Sequence, residues 1–155
     1  MDWLLTTRPT WGPAVARVLL GAVFFAHGAQ KALGWFGGHG FEGTVDFFGE
    51  MGLPAPVAVL VILAEFLGSI GLVLGLLTRV AAFGILAVMV GAVAMVHAPV
   101  GFFMNWSGAQ AGEGFEFHLL AIALCANLVV EGAGAMSLDL ALSRAQAPMK
   151  VAPPA

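Results

Sequence analysis

Val57–Leu77 reads VAVLVILAEFLGSIGLVLGLL. A helix that crosses a bilayer needs about 20 predominantly apolar residues, and this stretch supplies them with one charged interruption, Glu65, near its middle. A charge at that depth costs about 2.5 kcal/mol or more, so Glu65 is expected to be neutral, paired, or beside a polar cavity. Small residues run behind it: Ala64, Gly68, Gly71 and Gly75. Ala64 to Gly68 and Gly71 to Gly75 are small-xxx-small pairs, the spacing that lets a second helix come close. The segment thus predicts a membrane span with a packing face and a buried carboxylate in need of a partner.

The rest of the chain agrees with that reading. Of its 155 residues 60% are hydrophobic and 10% charged, where a soluble domain carries about 25% charged residues. The length gives room for one compact bundle and no second domain. A net charge of −3 lacks the basic footprint of a nucleic-acid binder. The single cysteine, Cys125, lies in an apolar run and reads as a small core residue. With no CxxC, a dithiol mechanism of the chain's own is excluded.

Outward from the central span, the first apolar run covers about residues 13–33. It is longer than the roughly 7–15-residue core of a signal peptide, so it is expected to be an uncleaved span, with Pro13 in its first turn and Trp3 and Trp11 at the membrane interface. Its far end places His27, Gln30 and Lys31 on one helical face. Residues 34–56 open with a glycine-rich turn. There Phe41, Val45, Phe48 and Met51 alternate with Glu42, Asp46 and Glu50 in the pattern of a short interfacial amphipathic helix. Thr78-Arg79 makes a tight turn before a third span over 80–97, and a second loop precedes a fourth over 115–132. The fold class predicted is therefore all-α: one four-transmembrane-helix domain over residues 1–140, followed by a polar, Pro-containing cytoplasmic tail over 141–155. Arg8, Arg17, Arg79, Arg144 and Lys150 fall at the termini or in the 78–79 turn, and only Lys31 falls on the opposite side. The positive-inside rule then places both termini in the cytoplasm. Arg17 near the start of the first span and Arg79 near the start of the third hint at a two-hairpin repeat.

Polar residues occur on every span except the middle of the third. Glu65 and Asn127 lie about 15 Å from the outer ends of their helices at 1.5 Å per residue. His27, Lys31, His97, Glu116 and His118 lie nearer the outer ends, and Trp106 sits in a loop where it could serve as a lid. The expected site is an outward-facing pocket with Glu65 and Asn127 as floor and the others as rim. Three readings fit it. One is a quinone or small-substrate site in which His27 or Glu65 exchanges protons. A second is a haem or metal site on the histidines, weakened by the absence of ligand spacing such as HxxxH; no metal is assigned. The third is a polar network that only holds the bundle, with Arg17, Arg79, Gly68, Gly71 and Gly75 as structural residues. A small-solute transporter and a non-catalytic scaffold or anchor subunit are the alternatives to redox work.

Arg17, Gly21 and the HGxxK run His27-Gly28-Ala29-Gln30-Lys31 resemble the first span of the DoxX family of small bacterial membrane proteins. So do Leu53-Pro54, the run AEFLGSIGLVLGLLTR over Ala64–Arg79, Glu116, and the glycine stop followed by Ser137-Leu138-Asp139. The resemblance covers roughly residues 15–140. It implies a four-helix protein of the bacterial inner membrane and a component of a quinone- or sulfur-compound-linked redox system. It also implies a soluble or membrane oxidoreductase as partner, with Arg17, His27, Lys31, Glu65, Arg79 and Glu116 as the positions that match the family's motif. The lipid bilayer and a second copy of the chain, through the glycine face of the second span, are the other partners expected. The chain has no cysteine pair and no fused thiosulfate-oxidising domain, so a self-contained sulfur-oxidising enzyme is not implied.

Overall fold

The computed structural model describes residues 2–146. All regular structure in them is helical: α1 (Asp2–Leu5), α2 (Trp11–Leu33), α3 (Gly40–Glu50), α4 (Ala55–Leu74), α5 (Thr78–Ala92), α6 (Glu116–Glu131) and α7 (Leu138–Ala145). A wider, π-type turn, Val93–His97, prolongs α5. Three helices, Trp11–Leu33, Ala55–Leu74 and Thr78–His97, are long and apolar enough to cross a membrane. The fourth expected span, α6, has 16 residues and is about 24 Å long at 1.5 Å per residue, against a hydrocarbon core of about 30 Å. The tail expected over 141–155 begins inside α7, and from residue 147 it lies outside the described residues.

Helices α2, α4, α5 and α6 close a ring in which each packs on the next and α6 returns to α2, while α3 lies across α2 and α4. The ring's core is Leu20 and Phe24 of α2, Leu72 of α4, Ala82, Ile85 and Met89 of α5, and Ala121, Cys125 and Leu128 of α6. The large side chains on the outside are apolar too: Leu60, Leu67, Phe83, Leu120 and Val130 are all more than half exposed. A soluble protein does not surround itself with such a surface; hydrocarbon accepts it. The protein is a membrane protein.

Glycine placement decides how the helices meet, and it differs from the reading of Val57–Leu77. Helix α4 ends at Leu74 because Gly75 adopts the left-handed conformation (φ 66°) and Leu76 N–H returns to Gly71 C=O at 2.9 Å, as helix stops commonly do. Of the Gly71–Gly75 pair, Gly75 is therefore the cap, while Gly71 lies against Ala81 of α5. Gly68 also faces that helix, lying against Ala81 and Ile85 of α5. Helix α2 comes close to α4 through its own glycines, Gly21 and Gly28, seven residues apart on one face. A Cβ on Gly28 would stand 2.6 Å from Phe66 N and Cα and 2.8 Å from Glu65 C. Gly28→Val is expected to cost about 1–3 kcal/mol by overpacking, read as a lower midpoint of unfolding in detergent. A wild-type midpoint would show that the two helices separate freely there.

Two arginines fasten one end of the ring. Buried Arg17 of α2 donates all five guanidinium hydrogens to carbonyls: Ala133, Leu72, Val73, Ala135 and Met136. Leu72 and Val73 belong to the last turn of α4, whose carbonyls have no partner within the helix. Arg79 of α5 likewise reaches Val129 and Val130 in the last turn of α6, together with Trp3 and Thr6, and lies 4.8 Å from the Trp3 ring centroid. In each hairpin, α2–α4 and α5–α6, an arginine early in the first helix thus caps the end of the second. Asp139 of α7 accepts from Leu77 N–H at 2.8 Å and Thr78 N–H at 2.9 Å, capping the start of α5.

Candidate functional site

The opposite end holds most of the candidate residues. Because Gly28 lets α2 lie against Glu65 and Phe66, Lys31, one turn further along α2, comes within 2.5 Å of Glu65 Oε2 through its Nζ. Glu65 is 3% exposed, while the Lys31 side chain keeps 27% of its surface accessible. The carboxylate is thus sealed between helices, and its partner looks outward. Buried Thr44 of α3 donates its hydroxyl to Lys31 C=O at 3.2 Å, and Gln30 Nε2 donates to Phe36 C=O at 3.3 Å. These bonds fold the segment after α2 back over its end. Between them lies a cavity of about 250 Å³ lined by Gln30, Lys31, His39, Thr44, Phe47 and Phe48. It offers a cation and an amide on one wall and phenyl rings on the other.

The remaining candidates do not gather around this cavity. His97, at the end of the π-type turn, stacks on His118 at the start of α6, with ring centroids 4.0 Å apart. His27 is exposed and stands 6.5 Å from the Phe117 ring, which is itself 5.6 Å from His118. The expected rim is therefore divided between the Lys31–Glu65 pair and a group where α2 meets α6, with His27 beside Phe117 and His118 beside His97. Glu116 organises its own loop, its Oε1 accepting from Met104 N–H at 2.9 Å and Trp106 Nε1 at 3.1 Å. Trp106 is 87% exposed and is not among the residues lining the cavity beside Lys31. Asn127 is exposed on the outside of α6 and is not a floor residue. Helical phase explains this: the buried positions of α6 are His118, Ala121, Cys125 and Leu128, and Asn127 falls between the last two, off their face. Among the described residues no three His, Cys, Asp or Glu side chains are arranged to hold a metal ion.

Thr44, Gln30, His39, Phe47 and Phe48 were not singled out from sequence as site residues. For Thr44 a signal existed: it is the polar residue on the helical face of α3 opposite Glu42, Asp46 and Glu50.

Comparison with known proteins agrees with the motifs. A family model described as DoxX matches residues 12–98. A Bacillus subtilis (strain 168) protein named "Putative oxidoreductase CatD" is 30% identical over 128 residues, covering 83% of this chain and 84% of that protein. No solved structure matches. The matched region holds α2 to the π-type turn, with Arg17, His27, Lys31, Glu65 and Arg79 inside it, and the chain belongs to the DoxX family.

Proposed function

We propose that the protein is the membrane component of a redox system and binds a one-ring, quinone-like substrate beside Lys31 and Glu65. The observation that carries this is Lys31, which lines the 250 Å³ cavity while its ammonium pairs with the buried Glu65 carboxylate behind it. That volume is below the range of about 300–1,000 Å³ typical of drug-sized ligands, so it suits a single ring and not a haem. Phe47 and Phe48 would lie against the ring. Lys31 and Gln30 would donate to its oxygens, and the Lys31–Glu65 pair would hold or move a proton at the oxygen it faces. A quinone supplies two-electron chemistry when bound; the electrons would come from an oxidoreductase partner. Helix α6 would be the fourth span of the bundle, shortened by the folded loop before it, and α3 would lie in the interface. With the arginine end facing the cytoplasm of a bacterial inner membrane, the cavity opens outward. The relative's printed name supports the redox reading.

The test is quinone extraction from the detergent-purified protein, together with titration of a water-soluble one-ring benzoquinone. About one equivalent is expected, with affinity weakened roughly tenfold or more in Lys31→Met. A quinone-free protein that binds none of the probe would remove the redox reading and leave a scaffold, for which a constant co-purifying partner is the sign.

A further inference from the structure

We propose that His97 and His118 form a binding site for one transition-metal ion of the Cu²⁺ or Zn²⁺ class, with water or a small exogenous ligand filling its other positions. The site is separate from the Lys31–Glu65 cavity and does not depend on the redox reading.

Four observations meet here. His118 is 7% exposed, yet its Nδ1 is fully buried with no hydrogen-bond partner among the described residues. Such a nitrogen normally has a protein or water partner, because leaving a buried polar atom unpaired is costly. His97 Nδ1 lies 2.8 Å from Glu113 C=O. A carbonyl only accepts, so Nδ1 carries the hydrogen and the other ring nitrogen keeps its lone pair. Metal-bound histidines are oriented in this way by a bond from the far ring nitrogen. The two rings are 4.0 Å apart, tilted by 38°. Two imidazoles on one ion each bring a nitrogen to about 2.0–2.1 Å from it, so their rings must be neighbours, as these are, and would open slightly to admit the ion. Finally, His97 is presented by a π-type turn, an irregularity that collects at functional sites.

The ligand class follows from the donors. Two imidazoles without a thiolate suit copper and zinc over soft-thiolate ions. Glu113 of the adjoining loop and Glu116 at the start of α6, whose carboxylates hold the loop backbone at Asn105 and Met104, make the surroundings attractive to a cation.

The test uses the full chain in detergent, stripped with chelator and titrated with Cu²⁺ alone. One equivalent should bind, with an electron paramagnetic resonance spectrum showing coupling to two imidazole nitrogens. His97→Ala and His118→Ala should each weaken binding by roughly tenfold or more and remove one nitrogen coupling. His39→Ala and His27→Ala should leave affinity and spectrum unchanged. His97 is only partly buried at the end of its turn, so its variant carries the test even if the His118 variant misfolds. Copper that survives His97→Ala, or that follows His27 or His39, would be an adventitious ion only and would overturn the assignment.

Discussion

Arg17→Ala is expected to destabilise the protein by about 3–5 kcal/mol, the scale reached when a buried charged network loses a member. The substitution removes five hydrogen bonds to carbonyls in two places: α2 loses its hold on Leu72 and Val73 at the end of α4, and on the Ala133–Met136 segment. Hydrogen bonds to a charged group contribute about 1.5–3 kcal/mol each, but five on one side chain do not add, and water at that end of the bundle would recover some of the loss. Two of the five carbonyls, Leu72 and Val73, sit at the negative end of the α4 dipole, where a guanidinium is favoured. Arg17→Lys separates charge from geometry. An ammonium has three donors where the guanidinium has five in a fixed plane, so Lys should restore less than half of the loss. Unfolding titrations in mixed detergent micelles give the comparison. Should Arg17→Ala unfold within experimental error of wild type, the carbonyls find water and the arginine does not hold the two hairpins together.

That arginine also shows where sequence reading succeeds and where it stops. The apolar runs over 13–33, 57–77 and 80–97 lie within a few residues of α2, α4 and α5 with its π-type turn, because long hydrophobic stretches carry a strong one-dimensional signal. Arg17 and Arg79 stood out by position, as cations at the starts of alternate spans. Their carbonyl partners lie 50 or more residues away and carry no side-chain signature, so the capping could not be read. Glu65 announced a need for a partner, and Lys31 lay among the residues put at the same end of the molecule. The pairing itself depends on the rotation of α2 about its axis, which Gly28 sets by close approach.

The misreadings have a common origin. Depth along a helix can be counted in residues, but a count says nothing about direction. Asn127 and Glu65 were put at similar depths, yet one faces outward and the other faces α2. With 16 mostly apolar residues, α6 gives little contrast between its faces, so its phase is fixed only by packing on α5 and α2. Gly71 and Gly75 matched a helix-packing spacing, but that spacing is shared by residues that end a helix, and only the left-handed backbone at Gly75 tells the two apart.

Glu65→Gln should cost about 3 kcal/mol or more, since it leaves the Lys31 ammonium against a neutral amide in a site of low polarity. Lys31→Met should cost less: it orphans Glu65, but a carboxylate can be neutralised by taking up a proton, and the methionine fills the volume of the lysine stem. The double variant Lys31→Met with Glu65→Leu should recover most of the loss, because apolar replacement of a whole buried ion pair is often neutral or stabilising. The thermodynamic cycle through Lys31→Met, Glu65→Leu and their double variant should therefore show a coupling of about 1–3 kcal/mol. Additive losses would mean that the two side chains do not depend on each other in the folded protein. The same variants separate architecture from function. If the pair serves only to hold α2 on α4, the double variant regains both stability and whatever small molecule the cavity binds. If the pair serves the ligand, the double variant is stable and empty, and the stability lost by keeping two charges 2.5 Å apart between helices is retained in the native chain for what Lys31 presents to the cavity.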